Sequence, residues 1–415
     1  MRSSSITVGK IVMRGVLAAA AAQGALIGGL VVADLVRKRR NRTDTSFPHE
    51  QYEPVALEFS EESLRPFTYG AELYDDMLAE IERAEHTILL ETFIWKGDEL
   101  GQQFVAALDR KARAGVRVYV IFDWFANLVV SRSFKRFPST INTLEFRPVA
   151  VLPDLVDPRS YTRDHRKLLV VDGRVAFIGG FNIGSLYAHR WRDTQLRIEG
   201  PEVSEIERSF AVVWNENRTT DLPLLPQGRL SDWNPTVKLH RNDPYLRIFP
   251  IRGLYLEAFE RAQHHIYLTH AYFIPDRALR SMLAAAARRG VDVQIVLPWH
   301  SNHVVADWLG RRFFGELLRA GVRIFAYEGA MIHAKTATAD GEWSTVGTTN
   351  MDRVSLLGNY EVNVAVHSER FAATMERVFE LDKTNTFEIT LDWWNRRPWP
   401  AKLIERGLEH LAPLL

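Results

Sequence analysis

Asp164–Gly173 reads DHRKLLVVDG and Ile332–Gly341 reads IHAKTATADG. Both carry His-x-Lys-x4-Asp: His165, Lys167 and Asp172 in one, His333, Lys335 and Asp340 in the other. Each is followed by a glycine (Gly179, Gly347), an asparagine (Asn182, Asn350) and an acid (Asp193, Glu361), and every pair is 168 positions apart. A lone His-x-Lys is an ordinary surface-strand pattern with two polar side chains in water. Six positions repeated in one register mark a duplicated unit.

The repetition extends upstream. Glu82–His86 (ERAEH) matches Glu260–His264 (ERAQH), and each is followed by an apolar, aromatic-rich strand ending near Phe93 or Phe273. Helices follow, with Leu100, Phe104, Val105 and Leu108 on one face in the first copy and Leu279, Met282, Leu283 and Ala286 in the second. A glycine turn then introduces a second strand, Val116–Val120 or Val291–Ile295. Strand, helix, strand predicts an α/β fold of two halves, each a mainly parallel sheet covered by helices.

The chain has 415 residues, 46% hydrophobic and 25% charged, with no cysteine. Such a chain exceeds the size of one core, and its composition excludes a disordered or fibrous protein. Without cysteine there is no disulfide framework, thiol nucleophile or cysteine-held metal. Residues 1–42 carry eight basic residues and one acid, +7, which leaves −6 on the rest against a total of +1. An acidic body is a poor footprint for nucleic acid, so no nucleic-acid partner is expected.

Residues 15–33 form 19 positions without a charge. As a helix they would span about 28 Å, close to one bilayer core. The following Arg37-Lys38-Arg39-Arg40 cluster argues for a retained single-pass anchor, with the body on the cytoplasmic side of the cell membrane. Gly24 and Gly28 offer one small-xxx-small pair through which the span could form an oligomer. The expected organisation is a basic leader at 1–14, the transmembrane helix at 15–36, and a basic flank and tether at 37–57. The first half then takes 58–217, a proline-marked connection 218–250, the second half 251–390, and a C-terminal aromatic and basic segment with a helix 391–415.

The motif spacing has a chemical reason. Period-2 alternation puts His and Lys on one face of a strand, where an imidazole can act as nucleophile or proton donor and an ammonium can neutralise a phosphate oxygen. Asn182 and Asn350 add amide donors, and Gly179 and Gly347 are expected to let the backbone turn toward them. Asp193 and Glu361, each 28 residues beyond the histidine of its own copy, can accept from the distal ring nitrogen and fix its tautomer. Asp172 and Asp340 end their strands just before glycine, which suits a turn better than contact with phosphorus. No helical His-x3-His or acidic oxygen cage is present in the sequence, so neither a metal nor another cofactor is expected.

This pattern resembles the phospholipase D superfamily, defined by H-x-K-x4-D followed by G-[GS]-x-N, from about residue 70 onward. Within it the chain looks most like the bacterial cardiolipin synthases, on Thr269–Pro275, Gly347–Asp352, Asn359–Asn363, Trp191–Thr194 with Glu199-Gly200-Pro201, and Leu411–Leu415. The resemblance implies two pseudo-symmetric α/β/α halves sharing one active site. It also implies a membrane-bound phosphatidyltransferase that moves a phosphatidyl group from phosphatidylglycerol to a second phospholipid through a phosphohistidine. His165 is then assigned as nucleophile and His333 as acid and base, with pseudo-symmetry leaving the reverse open. Lys167, Lys335, Asn182 and Asn350 would hold phosphate oxygens, and the ten motif residues together form the expected catalytic set. Two departures from the pattern stand out: Gly180 and Thr348 where serine is common, and one membrane span where the family has two or none. Hydrolysis to phosphatidic acid is the alternative reaction, and a nuclease or an inactive scaffold are remoter readings.

Among the other histidines, His264, His265, His270 and His300 read as surface or packing residues, whereas His303 follows a strand end and could meet a headgroup. Tyr272 could reach phosphate. Trp124, Trp299 and Trp308 also follow strand ends. Leu403, Ile404, Leu408 and Leu411 give the C-terminal helix an apolar face for the core or the bilayer interface.

Overall fold

The computed structural model describes residues 46–147, 162–228 and 235–408, except 59, 129, 132 and 133, together with a few positions of a helix between 28 and 36. The first half contains β1 (Val55–Ala56), β2 (Ser63–Tyr69), α1 (Gly70–Arg83), β3 (Thr87–Thr92), α2 (Glu99–Arg113), β4 (Arg117–Asp123) and β5 (Asn142–Phe146). It continues with β6 (Leu168–Val171), β7 (Val175–Gly179), α3 (Ser185–His189), β8 (Trp191–Glu199) and α4 (Val203–Asn217). In the second half come β9 (Val237–Asn242), α5 (Pro250–Arg261), β10 (His265–His270), α6 (Arg277–Arg288), β11 (Asp292–Pro298), α7 (Val304–Arg311), α8 (Phe314–Arg319) and β12 (Arg323–Tyr327). Then follow β13 (Met331–Ile332), β14 (Lys335–Ala339), β15 (Trp343–Gly347), α9 (Arg353–Leu357), β16 (Glu361–His367), α10 (Glu369–Lys383), β17 (Thr386–Ile389), α11 (Leu391–Asn395) and α12 (Trp399–Leu408).

The first sheet has the order β1-β2-β8-β7-β6-β3-β4-β5, and the second β17-β12-β11-β10-β14-β15-β16-β9. The expectation of mainly parallel sheets needs correction, because both are mixed. Within each half only β3-β4-β5 or β10-β11-β12 run parallel, and the strands carrying the motifs enter antiparallel. The cause is local: Asp172-Gly173 and Asp340-Gly341 close tight hairpins, β6 to β7 and β14 to β15, and a tight hairpin can only pair antiparallel strands.

The duplication is visible in small devices as well. Asp98 and Asp276 cap α2 and α6 by accepting from the N–H of Gly101 and Leu279. Gly115 and Gly290 end those helices at φ +97°, a left-handed conformation that glycine adopts without a Cβ penalty. Outer cores lie between the sheets and α1/α2 or α5/α6, but the central core belongs to both halves. There Phe210 and Trp214 of α4 and Phe371 and Met375 of α10 are buried together with Leu168, Ile178 and Leu196 of one sheet and Val346, Val362 and Val364 of the other.

Two segments read as irregular contain ordered parts among the described residues. The tether at 37–57 includes Phe47, buried against Phe325, Tyr327 and Phe379, and Tyr52, buried in the central core. The connection at 218–250 supplies β9, the edge strand beside β16. Pro235 and Pro244 flank that strand instead of interrupting it, which their count alone did not distinguish. Most of the expected span at 15–36 lies outside the described residues, and among those described no helix is long and apolar enough to cross a membrane. Leu30 is buried in a cluster with Ile274, Leu309 and Phe313, against which Ile404 of α12 also packs.

Candidate active site

The backbone brings the two motifs together by exchange. His165 N–H donates to Tyr360 O at 3.1 Å, and His333 N–H donates to Arg192 O at 2.6 Å, so each motif pairs with the chain at the start of the strand that carries the other half's acid, β16 or β8. β13, just before His333, extends this pairing along β8. The carboxylates follow the backbone: His165 Nδ1 lies 3.0 Å from both Oε1 and Oε2 of Glu361, and His333 Nδ1 lies 2.6 Å from Asp193 Oδ2. Each histidine is thus oriented by the acid of the opposite half, which corrects the expectation that it pairs with the acid of its own copy. Sequence distance favoured the local partner, and only the β8/β13 register reveals the swap.

Lys167 Nζ donates to His165 O at 2.6 Å, and Lys335 Nζ donates to His333 O. Lys335 Nζ also sits 3.0 Å from His333 Nδ1, but that nitrogen donates to Asp193, so it does not accept from the ammonium. Phe93 walls the first side, edge-on to His165 at 4.8 Å and 5.0 Å from Lys167 Nζ. Trp191 and Tyr272 wall the other, with ring centroids 5.0 and 5.9 Å from His333. The histidines and both lysines are buried.

Burial sets the charges. It pushes His165 well below its usual value and His333 down to about 3, with the neighbouring lysines acting in the same direction, so both imidazoles rest neutral. Burial also lowers Lys167 to about 7 and Lys335 to about 8. Glu361 is raised by burial to about 8, whereas for Asp193 the same effect is outweighed by Lys335 and His333, which hold it below the ordinary carboxylate range. The two dyads are therefore alike in shape and unlike in charge.

Gly180 and Thr348 set how each acid is placed. A Cβ at Gly180 would lie 2.1 Å from Asp193 Oδ1, so glycine is what lets this short acid reach across to His333. In the other half Thr348 Oγ1 donates to Glu361 Oε2 and accepts from Val362 N–H at 3.0 Å. Its hydroxyl fixes an acid instead of facing the site. Gly179 and Gly347 do not have positive φ; a Cβ there would meet Thr194 O at 2.3 Å or Asn363 Oδ1 at 2.2 Å, so close strand approach is the reason for glycine, not a sharp turn. Asn182 Oδ1 accepts from Ile94 N–H at 3.0 Å, while Asn350 Nδ2 donates to Ser355 Oγ at 3.4 Å.

Asp172 and Asp340 are not brought to this pair and leave the expected catalytic set. They sit at the far ends of β6 and β14, at φ +53° and +55°, each accepting three backbone N–H bonds of 2.8–2.9 Å: Glu85, His86 and Thr87 for one, Gln263, His264 and His265 for the other. Partial burial opposes ionisation, yet these donors keep both carboxyls below the usual range. Asp172→Ala should cost about 2–4 kcal/mol of stability, from stranded donors and a left-handed alanine. Turnover per folded molecule should stay within about twofold, checked by chemical denaturation alongside an active-site titration.

Sequence reasoning missed Arg192. It is buried and bidentate to Asp382 of α10, with Nε–Oδ1 and Nη2–Oδ2 both 2.7 Å. Arg166, between the motif His and Lys, points to the opposite face and bonds Glu91 and Ser209 Oγ, tying the strand to α4. Among the described residues no group of three or more His, Asp or Glu could hold a metal ion.

A family model for the phospholipase D-like domain of cardiolipin synthase matches residues 77–214 and 255–383. The chain belongs to this family. It is an enzyme of the phospholipase D superfamily, of the phosphatidyltransferase class. A cardiolipin synthase from Listeria innocua is 33% identical over 361 residues, 84% of this chain and 74% of that protein. One from Clostridium perfringens is 30% identical over 358 residues, 83% of this chain and 75% of that protein. In fold the chain is similar to the phosphatidylserine synthase of Haemophilus influenzae, with a TM-score of 0.62 at 14% identity over 87% of this chain and 95% of that one.

Proposed function

We propose that this protein makes cardiolipin, by transferring a phosphatidyl group from one phosphatidylglycerol to the hydroxyl of another through a phosphohistidine. The observation that supports it most directly is the pair of His–carboxylate dyads, each built from both halves, with a buried lysine beside each histidine. Nε2 of His165 attacks phosphorus, the bond to the departing glycerol oxygen breaks, and His333 gives that oxygen a proton. His333 must first be protonated, and an incoming phosphate anion raises its proton affinity in a buried site. The neutral His333 then takes the proton of an incoming lipid hydroxyl, which attacks phosphorus and frees His165. Lys167, Lys335 and the side-chain amides of Asn182 and Asn350 meet the charge on the non-bridging oxygens.

A lipid surface fits the rest of the molecule as partner. Leu186 and Val354 are equivalent residues, four positions past the site asparagines, and both are exposed, as are Leu357 of α9 and Phe125 and Leu128 after β4. Phe125 carries the guanidinium of Arg163 at 4.2 Å, two residues before His165. Trp399 and Leu403 of α12 are exposed beside the cluster that holds Leu30. The charge-free 15–33 run would hold the body at the bilayer, with the basic flank on the cytoplasmic side.

Labelled phosphatidylglycerol in mixed micelles should yield cardiolipin and free glycerol in near-equal amounts with little phosphatidic acid. Phosphatidic acid as the main product across a range of lipid concentrations would replace transfer by hydrolysis.

A further inference from the structure

The two halves match at the reacting residues and differ at several buried positions outside them. In the first half these are Met77, Thr92, Phe177, Phe181 and Tyr187. Their equivalents in the second half are Tyr255, His270, Thr345, Thr349 and Ser355, a polar set, all buried. The correspondence is fixed by the 168-residue motif spacing for the later three and by the 178-residue ERA-x-H spacing for the earlier two.

His270 is the centre of this difference. It is 0% exposed, and neither Nδ1 nor Nε2 has a hydrogen-bond partner. In the antiparallel pairing of β10 with β14 it stands opposite Lys335, where facing side chains have Cβ atoms about 5 Å apart. The Tyr255 ring lies edge-on to it at 5.6 Å. Tyr255 Oη accepts from Asn363 Nδ2 at 3.3 Å, which also reaches Thr345 Oγ1 at 3.3 Å. Two further buried atoms in this region, Thr349 Oγ1 and Asn350 Oδ1, are also unpaired. Buried polar atoms in such number are ordinarily joined by ordered water, because each left bare costs about 1–3 kcal/mol.

We propose that His270 is a positioning residue for Lys335 and Asn350, an uncharged imidazole that accepts from the Lys335 ammonium through ordered water on the side away from His333. The proposal rests on the phosphodiester chemistry given above. Burial holds His270 at about 3, so it stays neutral throughout the working range and serves as an acceptor. The other groups that act on Lys335 are His333 beside it, Asp193 from β8, Glu361 from β16, Asp352 at the start of α9, and Lys167 and His165 across the site. Of these, the three carboxyls favour the ammonium and Lys167 opposes it. His270 adds a neutral imidazole acceptor where the first half has the Thr92 hydroxyl.

The test is the pH profile of bis(4-nitrophenyl) phosphate cleavage, which needs the site but no particular lipid. Wild-type kcat/KM should fall as pH rises through about 7 to 8. His270→Leu removes the acceptor, so Lys335 should lose its proton more readily and the falling limb should move to lower pH by about half to one unit. kcat should drop about tenfold, and His270→Gln should restore both. Thr92→Val, the mirror change in the first half, should leave the limb in place. Where His270→Leu does not fold, His270→Thr, which installs the first-half side chain, should move the limb in the same direction. An unmoved limb in His270→Leu or His270→Thr, or equal loss in His270→Gln and His270→Leu without a shift, would reduce His270 to packing and overturn the proposal. Failure of the wild type to cleave any diester would instead sink the proposed chemistry.

Discussion

His165→Ala and His333→Ala should each lower turnover about 10⁴-fold or more, with the fold intact. The two roles are halves of one cycle, so neither dyad can substitute for the other. The double variant should be no worse than the worse single, because once one half of the cycle is gone the other has nothing to act on. The cross-pairing adds a sharper expectation. Asp193→Asn should couple energetically to His333, whose Nδ1 it meets at 2.6 Å, and not to His165, although His165 belongs to the same repeat. Glu361→Gln should couple to His165. Double-mutant cycles on folding stability for the four pairs measure this, and stronger coupling within a repeat than across repeats would reject the exchanged geometry. Near-wild-type rates in either folded histidine variant would reject the shared site itself.

Much of this site was legible in the sequence because duplication converts a weak pattern into a strong one. The His, Lys and Asn positions were found by register, and the same register places them on matching strands and turns. The exchange was not legible, since it depends on β13 docking beside β8, a two-residue strand pairing with no hydrophobic signature of its own. The motif aspartates were legible as turn residues from the Asp-Gly dipeptide, but their grip on three N–H groups of a neighbouring strand end is a tertiary fact. Parallel sheets were expected from the βαβ order, which held for β3, β4 and β5 and then ended where each hairpin reversed the chain. His270 reads from the sequence as a surface or packing residue, and its full burial agrees with packing. A histidine next to a strand end is usually a surface or packing residue, and only the comparison of the two halves shows that the side chains around it are polar where their equivalents are apolar.

The second large effect concerns what keeps the two halves in register. Arg192 precedes Asp193, its carbonyl receives the His333 N–H, and its guanidinium is held bidentately by Asp382 in the last turn of α10. The pair is almost fully buried, with side-chain exposures of 1% and 2%, so screening by water is slight and the partners depend on each other. Asp382→Ala leaves a guanidinium in the core without its counter-charge, which should cost about 3–5 kcal/mol and lower Tm by on the order of 3–6 °C. The loss should spread to catalysis, because the strand that Arg192 anchors carries the acid that orients His333. Replacing both partners by apolar residues of similar size, Arg192→Met with Asp382→Leu, removes the stranded charge and should recover most of the stability. It should not recover the rate, since Arg192 also donates to Asp193 O and Thr194 Oγ1 and so holds the backbone on which the dyad is built. Thermal unfolding and turnover measured on the same three proteins separate the two contributions. A single Asp382→Ala variant as stable as wild type would mean that Arg192 finds water or another acceptor, and the buried pair would then be no anchor at all.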